Sequence, residues 1–114
     1  VIYDPARVSY AQLVDYFWRH IDPTVKDRQF CDIGSQYRSG IYWGSPAERQ
    51  VVEASRDALL KSGRFKAIHT ELAPASTFYL AEDYHQDYYK KNSVRYNYYR
   101  YSCGRDARVK SLWQ

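Results

Sequence analysis

Apolar residues along the chain recur first at helical and then at extended spacing, and the two kinds of stretch alternate. Tyr10, Leu13, Val14, Phe17 and Ile21 share one face of a helix. Ser9 stands before this stripe and Gln12 three residues on, the pairing in which each side chain caps the other's backbone amide. Val8 and Leu13 sit where an apolar staple would close the same turn. Asp22-Pro23 stops the helix, because a residue preceding proline is pushed out of the helical region. A second stripe, Val51, Val52, Ala54, Ala58 and Leu59, opens with Ser45 as cap, Pro46 at the first helical position and Glu48 completing the box. Ser62-Gly63 supplies a left-handed stop.

The extended stretches are shorter. The opening VIYDP predicts a strand already under way, turning at Asp4-Pro5. Residues 24–36 predict an extended loop. Tyr37 to Trp43 predicts a strand ended by Gly44. Lys66 to Leu72 alternates with Ile68, Thr70 and Leu72 on one face. After a turn at Pro74-Ala75-Ser76, Thr77 to Leu80 predicts a further short strand. Glu82 to Lys91 predicts a third helix ending at Asn92-Ser93, and the tail predicts a short helix with Val109, Leu112 and Trp113 on one face. Strands mix with helices and one strand pair reads as hairpin-like. The expected class is α+β: a two-layer sandwich, a mixed sheet with helices packed on it.

Composition narrows the class. The chain has 114 residues, 45% hydrophobic and 26% charged, which suits a single compact domain over 1–114 and excludes a disordered chain. No apolar run reaches the ~20 residues of a membrane-spanning helix. Cys31 and Cys103 lie far apart, and no secretory leader is visible. The expected setting is cytoplasmic, with reduced or redox-active thiols. The sequence begins at Val1 and contains no Met, so further residues are expected upstream.

The net charge of +4 invites a nucleic-acid reading. Seven tyrosines between Tyr84 and Tyr101 interleave with Lys90, Lys91, Arg95 and Arg100, the kind of mixture that grips a single strand. No known binding module is legible around them, and the same residues suit a tail laid across the domain. Nucleic acid is therefore the alternative rather than the expectation. His20, His69 and His85 have no partner at metal-ligand spacing and no Cys pair beside them, which argues against a metal site.

The densest chemistry lies in DRQFCDIGSQYRSGIY, from Asp27 to Tyr42. A carboxylate, Asp32, and a phenol, Tyr37, could bind a substrate oxygen or move a proton to it. Equally, Asp32 could cap a turn and Tyr37 fill the core. Gly34 and Gly40 stand where the backbone needs freedom. Cys31 sits beside Asp32, whose charge makes a thiol a poorer nucleophile. Cys103, in YSCGRD, has Arg100 and Arg105 nearby and Gly104 next to it. This is the setting of a mobile, reactive thiol, although a small apolar cysteine fits as well.

Taken together, the segments VIYDPARVSYAQLVDYFW, IDPT, DRQFCDIGSQYRSGIY, AEDYHQDYY and YSCGRD resemble the methionine sulfoxide reductase A family in composition and order, over essentially the whole chain. The resemblance implies reduction of the S epimer of methionine sulfoxide, in proteins and as the free amino acid, with no cofactor or metal. A cysteine thiolate attacks the sulfoxide sulfur, a sulfenic acid forms, a resolving cysteine converts it to a disulfide, and thioredoxin reduces that disulfide. It implies that Asp32 holds the hydrogen-bond network, that Tyr37 binds the sulfoxide oxygen and that Cys103 is the resolving cysteine. Gly34, Gln36 and Arg38 fall on motif positions that shape the loop. The family's nucleophile lies in a Gly-Cys-Phe-Trp motif near its N-terminus, followed by an acidic glutamate shortly before the VIYDP strand. Neither is within these 114 residues, and Cys31 is no substitute. The implied object is the C-terminal part of such an enzyme, inactive by itself. The alternative is a non-catalytic module of the same fold.

Overall fold

The structure, a computed structural model, describes residues 1–114. It is α+β, and the chain divides into two compact units, Val1–Ala75 and Ser76–Gln114.

In the first unit, helix α1 (Tyr10–Trp18) begins as the sequence predicts. The Gln12 amide donates to Ser9 Oγ at 3.1 Å and the Ser9 amide donates to Gln12 Oε1 at 2.8 Å. Helix α2 (Pro46–Lys61) has Ser45 Oγ accepting from the Glu48 amide at 3.2 Å. Here Glu48 reaches one residue further back than a capping box requires, and accepts from the Gly44 amide at 2.7 Å. Beyond α2, Gly63 takes φ +73°, the left-handed stop.

The two helices pack on each other. Their contact centres on Trp18 and Val52, which are 2% and 0% exposed. The Trp18 ring N–H donates to Ser55 Oγ at 3.0 Å, and that hydroxyl donates to the Val52 carbonyl at 2.8 Å. The indole is thus buried without leaving its polar atom unpaired. Val14, Ile21, Ile41 and Phe65 complete the core.

Strands β3 (Gly40–Trp43) and β4 (Glu71–Pro74) pair in parallel, with Gly40 opposite Glu71 and Ile41 opposite Leu72. Parallel pairing follows from the chain path. The connection runs through α2, which returns the chain to the starting edge of the sheet. The Glu71 amide donates to the Ser39 carbonyl at 2.9 Å and the Ala75 amide to Trp43 at 2.8 Å, so bonding extends past both ends of the ladder.

The hairpin lies elsewhere. Within the segment predicted as an extended loop, β1 (Arg28–Gln29) and β2 (Asp32–Ile33) pair antiparallel around a two-residue turn, Phe30-Cys31. The expected strand at VIYDP is not formed: Val1 and Ile2 are fully exposed and no strand pairs with them. Thr77 to Leu80 is likewise unpaired, with Phe78, Tyr79 and Leu80 each about 80% exposed. A strand without a neighbour leaves its backbone groups to water and gains nothing over coil. The strand expected over Lys66 to Leu72 starts later, at Glu71. Its first half is fastened instead by the His69 amide donating to the Pro23 carbonyl at 2.8 Å.

The second unit is helical. The third helix expected from Glu82 to Lys91 shrinks to a turn, Asp83–His85, and a short helix α3 (Tyr88–Lys91). Asp87 between them takes φ +53° and breaks the run. Ser93 starts α4 (Ser93–Ser102) rather than ending a helix, and α5 (Arg105–Trp113) is the predicted tail helix.

Candidate functional site

The loop between α1 and β3 is built from its anchors outward. Asp22 is 5% exposed, and its Oδ1 accepts from the Thr24 amide at 3.0 Å and from the Thr24 hydroxyl. This local turn presents the Asp22 backbone to Gln29. The Gln29 side-chain amide donates to the Asp22 carbonyl at 2.8 Å and accepts from the Asp22 amide at 3.2 Å, so a side chain substitutes for a ladder rung. Gln29 is the cross-strand partner of Asp32. The candidate carboxylate is therefore fixed in register against the turn at Asp22 through one glutamine. Asp32 itself is half-buried.

Past β2 the chain turns at Gly34, with φ +142° and ψ +158°, in a region open essentially to glycine. A Cβ there would stand 2.5 Å from Gln36 Oε1. The Gly34 amide donates to Asp27 at 2.8 Å and closes the hairpin base. Residues Ser35–Tyr37 then form a single 3₁₀ turn, with the Tyr37 amide donating to Gly34 at 3.0 Å. Tyr37 ends the turn and is 40% exposed. Asp32 and Tyr37 thus share one hydrogen-bonded loop.

Arg38, which the resemblance puts on a motif position that shapes the loop, acts through partners that the sequence did not disclose. Arg38 Nη1 donates to the Ser35 carbonyl at 2.6 Å and Nε donates to Glu71 Oε2 at 3.0 Å. Tyr42 donates its hydroxyl to the same Glu71 oxygen at 2.7 Å. These hydrogen bonds hold the Glu71 carboxyl below its ordinary range, chiefly through Tyr42 and then Arg38. They raise the Tyr42 phenol, with the Glu71 bond the largest cause and burial next. No pattern flags this cluster: Arg38 and Glu71 are 33 positions apart and meet only because β3 and β4 pair.

Cys103 lies in the second unit, capping α4 where the chain turns into α5 at Gly104. The sequence reads Cys103 either as a reactive thiol with Arg100 and Arg105 nearby or as a small apolar cysteine, and the structure shows what engages Arg100. Arg100 bridges the corner, with Nε 3.1 and 3.2 Å from the two Asp106 oxygens and Nη2 2.5 Å from Oδ1. Its Nη1 donates to the Tyr96 hydroxyl at 3.1 Å. The Arg100 charge is matched by Asp106, whose carboxyl is held low mainly by that bond. Neither Cys31 nor Cys103 is a free thiol in this structure, where the sequence led to an expectation of reduced or redox-active thiols.

The histidines take local roles. His20 lies 2.7 Å from the Tyr16 carbonyl through Nδ1 and stacks on the Tyr16 ring; His85 is 3.6 Å from Glu82. No three His, Cys, Asp or Glu side chains converge as a metal site. No helix is long and apolar enough to cross a membrane. On α3 and α4, Lys91, Asn92, Ser93, Val94, Arg95 and Tyr98 line an open groove of about 600 Å³.

Comparison with known proteins places the chain in a family. A chain of Caulobacter vibrioides named peptide methionine sulfoxide reductase MsrA 2 is 46% identical over 99% of this chain and 57% of its own length. The Listeria innocua MsrA is 44% identical over 100% of this chain and 65% of its own. The chain thus spans roughly half to two-thirds of these relatives. Among solved structures, reduced Mxr1 from Saccharomyces cerevisiae superposes with a TM-score of 0.73 at 36% identity, covering 80% of this chain and 50% of that one. Methionine sulfoxide reductase A of Corynebacterium diphtheriae gives 0.64 at 38% identity, covering 81% and 49%. The family model described as peptide methionine sulfoxide reductase matches residues 1–114 from end to end, and the chain belongs to that family.

Proposed function

We propose that these residues form the oxygen-binding half of a methionine S-sulfoxide reductase. A thiolate in a preceding Gly-Cys-Phe-Trp segment attacks the sulfoxide sulfur. The S–O bond breaks, the oxygen passes to the cysteine sulfur and takes up a proton to give a sulfenic acid, and methionine leaves. Tyr37 donates a hydrogen bond to the sulfoxide oxygen as negative charge grows on it, and Asp32 holds the surrounding hydrogen bonds. Cys103, as a thiol, then attacks the sulfenic sulfur and releases water, and reduced thioredoxin takes up the disulfide by thiol exchange. The substrates are oxidised Met residues of proteins and free methionine sulfoxide. The observation that supports this reading best is the single loop carrying Asp32 and an exposed Tyr37, turned at a glycine-only position.

Residues 1–114 alone are expected to show no thioredoxin-coupled loss of S-methionine sulfoxide. The same residues joined behind a relative's Gly-Cys-Phe-Trp segment are expected to turn over, and Tyr37→Phe should lower that rate by about 10²-fold or more. Sustained turnover by the 114 residues alone would overturn these roles.

One observation favours a second reading. Val94, Tyr98 and Tyr101 are 83%, 74% and 85% exposed at helical spacing on α4, beside Lys91 and Arg95. Such a face suits a single strand of nucleic acid by stacking and charge. A shift of labelled RNA that weakens steeply with salt supports it, and no shift at low salt rejects it.

A further inference from the structure

We propose that Arg38, Glu71 and Tyr42 are positioning residues that set the direction of the Tyr37 phenol. The turn carrying Tyr37 is only three residues long, and its closing bond, from the Arg38 amide to the Ser35 carbonyl, is stretched to 3.3 Å. So short a turn has little stiffness of its own. Its direction is fixed from outside. The Arg38 side chain folds back on the turn, gripping the Ser35 carbonyl at its start and Glu71 on β4 with separate nitrogens. Glu71 is in turn held by Tyr42, whose ring lies over Gly40, the cross-strand partner of Glu71. One step earlier on each segment, the buried hydroxyls of Ser39 and Thr70 meet at 2.8 Å and lock the register that brings Arg38 to Glu71. The tie needs a guanidinium. A lysine ammonium is a point charge and does not span two acceptors in a fixed fork.

The inference rests on the reading that Tyr37 meets the sulfoxide oxygen, and two measurements separate them. In the first, amide hydrogen exchange is followed in residues 1–114. Arg38→Ala and Glu71→Ala should speed exchange at the Tyr37 and Arg38 amides while the β3 amides stay protected. Unchanged exchange at those two amides overturns the network. In the second, the fusion described above is assayed. Arg38→Ala and Glu71→Ala should lower kcat by about tenfold to a hundredfold with KM little changed, the mark of a misdirected group. Glu71→Gln, which keeps an acceptor oxygen for Arg38 and Tyr42, should recover part of the loss; Arg38→Lys should not. If Tyr37→Phe is impaired but the Arg38 and Glu71 variants match the wild type, the positioning role is overturned. If the wild-type fusion is itself inactive, the functional reading fails, and the exchange measurement still decides whether the network holds the turn.

Discussion

Gly34 and Gly40 stand six positions apart and do different work. Gly34 has a backbone that an L side chain rarely adopts, and its Cβ would collide with Gln36. Gly34→Ala should cost about 1–3 kcal/mol of stability, read as a lower urea midpoint at unchanged slope. Gly40 has no such backbone; it makes room for the Tyr42 ring, whose hydroxyl would lie 2.7 Å from an added Cβ. The need for backbone freedom at Gly34 was legible, but the reason at Gly40 was not, since it depends on a ring two residues on. The Glu71 cluster gives stability a window. The Glu71 carboxyl is lowered in the fold, so its contribution is present above the unfolded carboxylate range, near pH ~4, and is lost as pH falls further. The Tyr42 phenol is raised, so its contribution is present below its unfolded value, near pH ~10, and is lost as pH climbs through the folded one. Glu71→Gln should flatten the acid limb in a denaturation series across pH; an unchanged acid limb would assign it to other carboxylates.

Capping residues made the helix starts readable, because a cap is a local event written in three or four adjacent positions. Ser9→Ala removes the acceptor for the Gln12 amide and should cost about 1 kcal/mol, with α1 the element that frays. The elements that were missed are non-local or very short. Strands β1 and β2 have two residues each, too few for any alternation to register. Their hairpin is held by Gln29 reaching Asp22, a contact across seven positions with no motif behind it. The parallel β3–β4 pair follows from α2 lying between them, and a strand-by-strand reading does not carry that order. Helix α4 was obscured because its tyrosines and arginines leave no apolar stripe, and its largest apolar groups face solvent.

At the scale of the whole chain, burial is uneven. Every buried residue lies between Val14 and Thr70, and none lies in Ser76–Gln114. Local stability follows buried apolar contact, so amides of α1, α2 and β3 should exchange slowest and those of α3 to α5 fastest. Slower exchange in α4 than in α2 would contradict that gradient. Val52→Ala, at the centre of the helix contact, should cost about 1–3 kcal/mol and speed exchange mainly in the first unit. The second unit opens with the stretch Ser76 to Glu82, free of regular structure and carrying Phe78-Tyr79-Leu80 in the open. To a protease that cuts after aromatic residues, this is an extended, unpaired substrate with its recognition side chains already turned outward. A brief digestion should nick the chain there first, before any cut within α1, α2 or β3.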